Sequence, residues 1–192
     1  ELGVPTVLCG QLEGHPYRDV FSTVYSDDEE GGRFAALAMK ERGRKDIVAV
    51  LGPQDNPAVV DRLRGYRAVL GEDLPDANVI YTGWNSGDGY QAMHQILARE
   101  IAFDGVLCGS DRIAAGVITA LNEAGLSVPA DVSVVGFDDH EIAARCVPAL
   151  TTVRQPLREE GHMAANIALD MIKGAEPTTS VMHMQLVQRD SL

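Results

Sequence analysis

The chain has 192 residues, 45% apolar and 23% charged, which fits one ordinary globular domain or two small lobes. Its formal net charge of −12, from 28 acidic and 16 basic residues, disfavours direct nucleic-acid contact by this piece, because affinity for phosphate needs clustered Lys and Arg. No apolar run approaches the roughly 18 residues needed to cross a bilayer, and no charged-then-apolar leader opens the chain, so no membrane partner is expected.

Val4–Cys9 reads as a strand entered through Pro5. A Gly/Pro-containing stretch then runs to Phe21, and Ser22–Ser26 is extended. Asp27 and Asp28 precede EEGGRFAALAMKERG, a helix with its acids in the first turn and its bases near the end, as the helix dipole favours. Ile47–Leu51 is a strand broken by Gly52-Pro53. Ala58–Leu70 is a helix with Val59, Leu63, Tyr66 and Leu70 on one face. Val79–Tyr81 is a short strand that leads into the loop TGWNSGDG, and Tyr90–Arg99 is helical. Val106–Cys108 is a strand, and Asp111–Ala124 is a helix ended by Gly125. Val132–Phe137 is a β-branched apolar run without proline, the pattern of a strand buried on both faces. Thr151–Val153 is extended, Leu157–Ile172 is a helix stopping at Gly174, and Val181–Val187 is a last strand. Strands and helices alternate with short connections, which predicts an α/β fold with a doubly wound parallel sheet.

At the end of the Val132–Phe137 strand stand two adjacent carboxylates, Asp138 and Asp139. In open α/β sheets, ligands are held in the crevice outside the carboxyl ends of the strands. Asp138 there can accept two ligand donors at once, or it can simply set the following turn. Asp139 reads as a turn residue.

Three stretches taken together, GVLCGSD (105–111), GLSVPADVSVVGFDD (125–139) and PALTTVRQP (148–156), resemble the effector-binding domain of LacI/GalR transcription factors. The resemblance runs over the whole chain. It implies a periplasmic-binding-protein-like fold of two lobes joined by three crossings. Residues 27–150 with 176–192 would form one nearly complete lobe, and residues 1–26 with 151–175 part of a second. The usual DNA-reading helix-turn-helix headpiece would lie outside this chain, which reads as a C-terminal fragment. The partial lobe would then carry apolar faces without a partner.

The resemblance also implies a ligand-binding set of Arg62, Trp84, Ser110, Asp138 and Gln155. Arg62 offers the planar paired donors of a guanidinium, suited to vicinal hydroxyls, unless it is an exposed helix residue. Trp84, the only tryptophan, can stack on a sugar face or pack its loop onto the core. Ser110 reads as a contact and Asp111 as the cap of the next helix. Gln155 lies at a crossing. Purine-responsive members carry Arg where this chain has Asn56, so the expected effector is a sugar or sugar-like polyol. The chain is expected to act as a homodimer, reaching operator DNA only through the headpiece. The pairing faces would be Asp111–Ala124 and His140–Val147, where Ile142, Ala143, Ala144 and Val147 need cover.

Enzyme readings are poor. His15, His94, His140, His162 and His183 are scattered, with no HxxxH or HExxH pair. No Walker lysine, dinucleotide loop or GxSxG elbow occurs. No metal or cofactor is implied. Cys9, Cys108 and Cys146 are odd in number and lack CxxC spacing, which fits a reducing cytoplasm better than a disulfide framework. Cys9 and Cys108 read as core residues. A periplasmic sugar-binding receptor of the same fold is the alternative expectation.

Overall fold

The computed structural model describes residues 4–10, 20–99 and 101–192. The described residues form two compact units, and the chain passes between them three times. Residues 28–154 and 185–192 make the larger unit, and residues 1–27 and 155–184 the smaller. The expected boundaries at 150/151 and 175/176 thus stand instead at 154/155 and 184/185. The first moves because Thr151–Arg154 is a full strand, hydrogen-bonded to its neighbour from Val135↔Thr151 to Asp138↔Arg154. The Gly/Pro-containing stretch and His15 fall largely on residues outside those described.

The smaller unit holds β1 (Val7–Cys9) and β2 (Ser22–Ser26), which pair in parallel. The expected last strand at 181–187 is two strands. The first of them, Thr179–Met182, pairs in parallel with β2. The Leu157–Ile172 helix packs on β1 and β2, and its Glu160 accepts a hydrogen bond from Ser26 at 3.1 Å. Leu157, Leu169 and Ile172 on this helix are exposed. Cys9 is also exposed, because β1 is an edge strand, so the expected core role does not hold for it.

The larger unit is built on a six-stranded sheet. Naming all elements in chain order, β3 is Ile47–Leu51, β4 Val79–Tyr81, β5 Gly105–Cys108, β6 Ser133–Asp138, β7 Thr151–Arg154, β8 Thr179–Met182 and β9 Gln185–Val187. The sheet order is β4-β3-β5-β6-β7-β9. The five consecutive strands β4, β3, β5, β6 and β7 pair in parallel, and only the edge strand β9 runs antiparallel. The helices are α1 (Asp28–Glu41), α2 (Pro57–Leu70), α3 (Ser86–Leu97), α4 (Asp111–Glu123), α5 (Glu141–Arg145) and α6 (Leu157–Ile172). Val48, Val50, Val106, Cys108 and Val134 share one core cluster with α3 and α4. The intervening residues Ile47, Ala49, Leu51, Leu107, Val135 and Phe137 are equally buried, on the side of α1 and α2. Both faces are covered, so every residue of β3 and β5 is buried, and the strands carry apolar runs rather than alternation.

Helix α3 begins at Ser86, four residues before the expected Tyr90. Asn85 and Asp88 form a capping box, each side chain bonding the other's backbone N–H at 3.0 Å. Glycines at 87 and 89 disguise this start as a loop. Gly89 is needed because a Cβ there would meet the Ile113 carbonyl, and Gly116 because one would meet that of Ser86. Together they let α3 and α4 pack backbone to backbone.

Candidate functional site

The carboxyl ends of β4, β3, β5 and β6 lie side by side in the larger unit, and these ends and the segments that leave them carry four of the five expected site residues. Arg62 is on α2 and is only 4% exposed. Its Nε donates to Asp28 Oδ1 at 2.7 Å, one terminal nitrogen donates to the Gly109 carbonyl, and the other lies 3.8 Å from Asp138 Oδ1. The guanidinium carbon sits 3.8 Å from the centroid of the Phe137 ring, a cation–π contact. The sequence therefore brings Arg62 and Asp138 together, but Arg62 is a buried, largely committed fork rather than a helix residue with all its donors free.

Asp138 is the more open partner, with its side chain 31% exposed. It ends β6 with φ 109°, and Asp139 follows at φ 56°. Two successive non-glycine residues in the left-handed region mark a turn that its surroundings hold in place. Asp139 does more than turn the chain. It accepts from Arg154 Nε and from Arg189 at 2.6 Å each. Burial would raise its carboxyl, but the hydrogen bonds from Arg189 and Arg154 outweigh this and hold it below the usual carboxylate range.

Trp84 follows β4 and is half-buried. A Cβ on Gly52 would sit 2.5 Å from its ring, so the indole lies flat against the chain just beyond β3. Gly109, whose carbonyl receives Arg62, in turn lies against Leu51 and Gly52. The indole, the guanidinium and the Asp138 carboxylate are thus linked through the glycines at two neighbouring strand tips.

The capping role expected of Asp111 falls to Ser110. Ser110 is the N-cap of α4, its hydroxyl accepting the Ile113 N–H at 3.2 Å, and it is 4% exposed. Asp111 is the first helical residue and is wholly buried. It accepts the Thr152 hydroxyl on one oxygen and the His140 backbone N–H on the other, the latter at 2.7 Å. Burial, opposed by these two hydrogen bonds, pushes its carboxyl up to about 7. Gln155 opens the second segment of the smaller unit and is half-buried there. Asn56 is the N-cap of α2, accepting the Ala58 N–H at 3.0 Å.

Sequence reading missed Asp28, Phe137 and Asp111 as parts of this cluster. Only the apolar Phe before two acids hinted at any of them; the pairings span 29 or more residues, and no local pattern announces them. No group of three or more possible metal-ligating side chains occurs among the described residues. No described helix is long and apolar enough to cross a membrane. A groove of about 680 Å³ lies elsewhere, beside α2 and the end of β4, lined by Val59, Val60, Leu63, Arg64 and Tyr81 among others.

The model of the periplasmic binding protein-like domain matches residues 36–192. The HTH-type transcriptional regulator CelR of Thermobifida fusca is 36% identical over the whole chain, which covers 57% of CelR. The HTH-type transcriptional repressor PurR of Salmonella arizonae is 37% identical over 93% of the chain and 54% of PurR. The chain thus spans little more than half the length of these curated relatives. Among solved structures, a CelR–cellobiose complex superposes with a TM-score of 0.92 at 35% identity, over 99% of this chain and 59% of that one. A LacI-family regulator from Enterococcus faecalis V583 with bound ribose gives 0.85 at 25% identity, over 96% of this chain and 76% of that one.

Proposed function

Because this chain belongs to the periplasmic binding protein-like domain family, and its relatives are LacI-family regulators, we propose that it is the effector-binding part of a transcriptional regulator acting in the cytoplasm. A small carbohydrate is held at the strand tips of the larger unit. Asp138 accepts its hydroxyls, the Trp84 ring lies against its apolar face, and Arg62 holds Asp138 in place while offering what remains of its fork. Ser110 contributes through its hydroxyl proton, one of its two lone pairs being engaged by Ile113. Gln155 enters the proposed contact set through the family resemblance alone. The observation that carries this reading is the contact of the buried Arg62 with the accessible Asp138 beyond the end of a parallel sheet. That two neighbours hold cellobiose and ribose supports a carbohydrate over a purine. Nothing in the site calls for a metal or cofactor, and no catalytic step is assigned to it.

The effector acts by favouring one conformation through differential contacts, and so biases a distant DNA-reading element in a homodimer. The proposed pairing surface is narrower than the sequence suggests. Ala143 is already buried and α4 exposes only the polar Arg112, Thr119, Asn122 and Glu123, with Ala115 half-buried, whereas Val147 is 82% exposed. A periplasmic receptor is not favoured, because the relatives are named as regulators.

The test is calorimetric titration of the protein with cellobiose and ribose. Asp138→Ala should weaken whichever sugar binds by at least about tenfold, as removal of a charged hydrogen-bond acceptor does, while leaving the unfolding transition cooperative. Unchanged affinity removes Asp138 from the site.

A further inference from the structure

The turn that carries Asp138 is held by more than its own sequence requires. Thr152 Oγ1 accepts the Asp139 N–H at 3.4 Å and donates its own O–H to Asp111 Oδ1. The same Asp111 takes the His140 N–H on its other oxygen. Two successive backbone donors after Asp138 therefore end, directly or through one hydroxyl, on a single buried carboxylate. On the other side, Asp139 ties the turn to Arg154 and Arg189. Arg189 is itself fixed, its guanidinium donating to the Leu150 carbonyl and its backbone N–H to Thr151 Oγ1, both at 2.8 Å. Gly136 completes the arrangement, since a Cβ there would run into Asp111 and Leu150.

Burying a carboxylate against two neutral donors costs stability, and so does holding Asp138 and Asp139 at positive φ. Such expense is accounted for if the turn must be rigid. We propose that Asp111 and Asp139 are positioning residues for Asp138: one anchors the backbone that follows it, the other clamps its turn to Arg154 at the end of β7 and Arg189 beyond β9, and together they pre-organise the half-buried carboxylate for its ligand. The inference rests on the reading of Asp138 as the effector's acceptor. The ionisable groups that face Asp111 are Asp138 and Asp139 from the β6 end, Cys108 from β5 and Cys146 beyond α5.

The experiment uses ¹⁵N,¹³C-labelled protein and the variants Asp111→Asn, Asp139→Asn and Thr152→Val. Amide signals of Asp139 and His140 and the side-chain carboxyl carbons of Asp111 and Asp138 are followed from pH 5 to 8.5, and affinity for cellobiose is measured in parallel. In the parent protein the Asp111 carboxyl carbon should titrate near neutrality. Asp111→Asn should abolish that titration, and Asp111→Asn and Asp139→Asn should each move the Asp138 carboxyl signal and lower cellobiose affinity at least fivefold, with amide signals of β3 and α2 unmoved. Asp138 signals and affinity unchanged in both variants would overturn the proposal. If Asp111→Asn does not fold, Asp139→Asn and Thr152→Val decide by the same signals. If the parent protein does not bind cellobiose, the carbohydrate reading fails on that point, and the Asp138 and His140 signals alone decide the positioning role.

Discussion

Asp111 is wholly buried while carrying an ionisable group, and its cost should be visible in the pH dependence of stability. Its carboxyl is raised to about 7 in the folded chain from an ordinary unfolded value near 4, so the native state binds this proton more tightly. That contribution is full below about pH 4 and is lost as pH rises towards 7. Asp139 works with the opposite sign: its lowered carboxyl stabilises the fold above its unfolded value, and this is lost as pH falls through the folded one. From pH 5 to pH 8, Asp139 is ionised in both states and Asp111 dominates. Urea unfolding should show the chain losing about 2–3 kcal/mol over that range from this group, and Asp111→Asn should remove most of the slope. A slope unaltered by the variant would show that Asp111 does not carry the buried proton.

Helix and strand placement divides into what local patterns dictate and what only packing dictates. Strands β3 and β6 were legible because burial on both faces leaves a Val- and Ile-rich run without regular polar alternation. Helix α6 was legible end to end from its apolar spacing and the glycine beyond it. The start of α3 was not, because Gly87 and Gly89 mimic a turn while Asn85 and Asp88 supply the cap. The 181–187 run reads as one strand, but β8 and β9 join different sheets, which no window of that length can reveal. In the site, residue types at strand ends were readable, whereas Asp28 on Arg62 and Thr152 on Asp111 are pairings made only by the tertiary fold. Glycine substitutions separate the two causes. Gly116→Ala forces α3 and α4 apart and should cost roughly 1–3 kcal/mol in urea unfolding. Gly161→Ala, in mid-α6 with open space around it, should stabilise by about 0.5–1 kcal/mol. Equal effects of the two would contradict the packing assigned to α3 and α4.

For the whole molecule, the proposed regulator would pair through its effector-binding part as a homodimer. Val147, just beyond α5, is the large apolar side chain most open to solvent on the proposed pairing surface. Val147→Glu should shift the protein from dimer to monomer in light scattering at micromolar concentration, without lowering the unfolding midpoint, because a charge at an apolar contact must be desolvated. A dimer unaffected by the change would move the pairing surface elsewhere. The central claim is that a sugar is held beyond the strand ends of the larger unit. It is tested most directly by two-dimensional amide spectra of the protein recorded during titration with cellobiose and ribose. The account predicts saturable shifts clustered at Gly52, Trp84, Gly109, Ser110 and Asp138–His140, with the Trp84 indole signal among the most displaced. Shifts confined instead to Val59, Val60, Arg64 and Tyr81, the residues lining the groove beside α2, would contradict it.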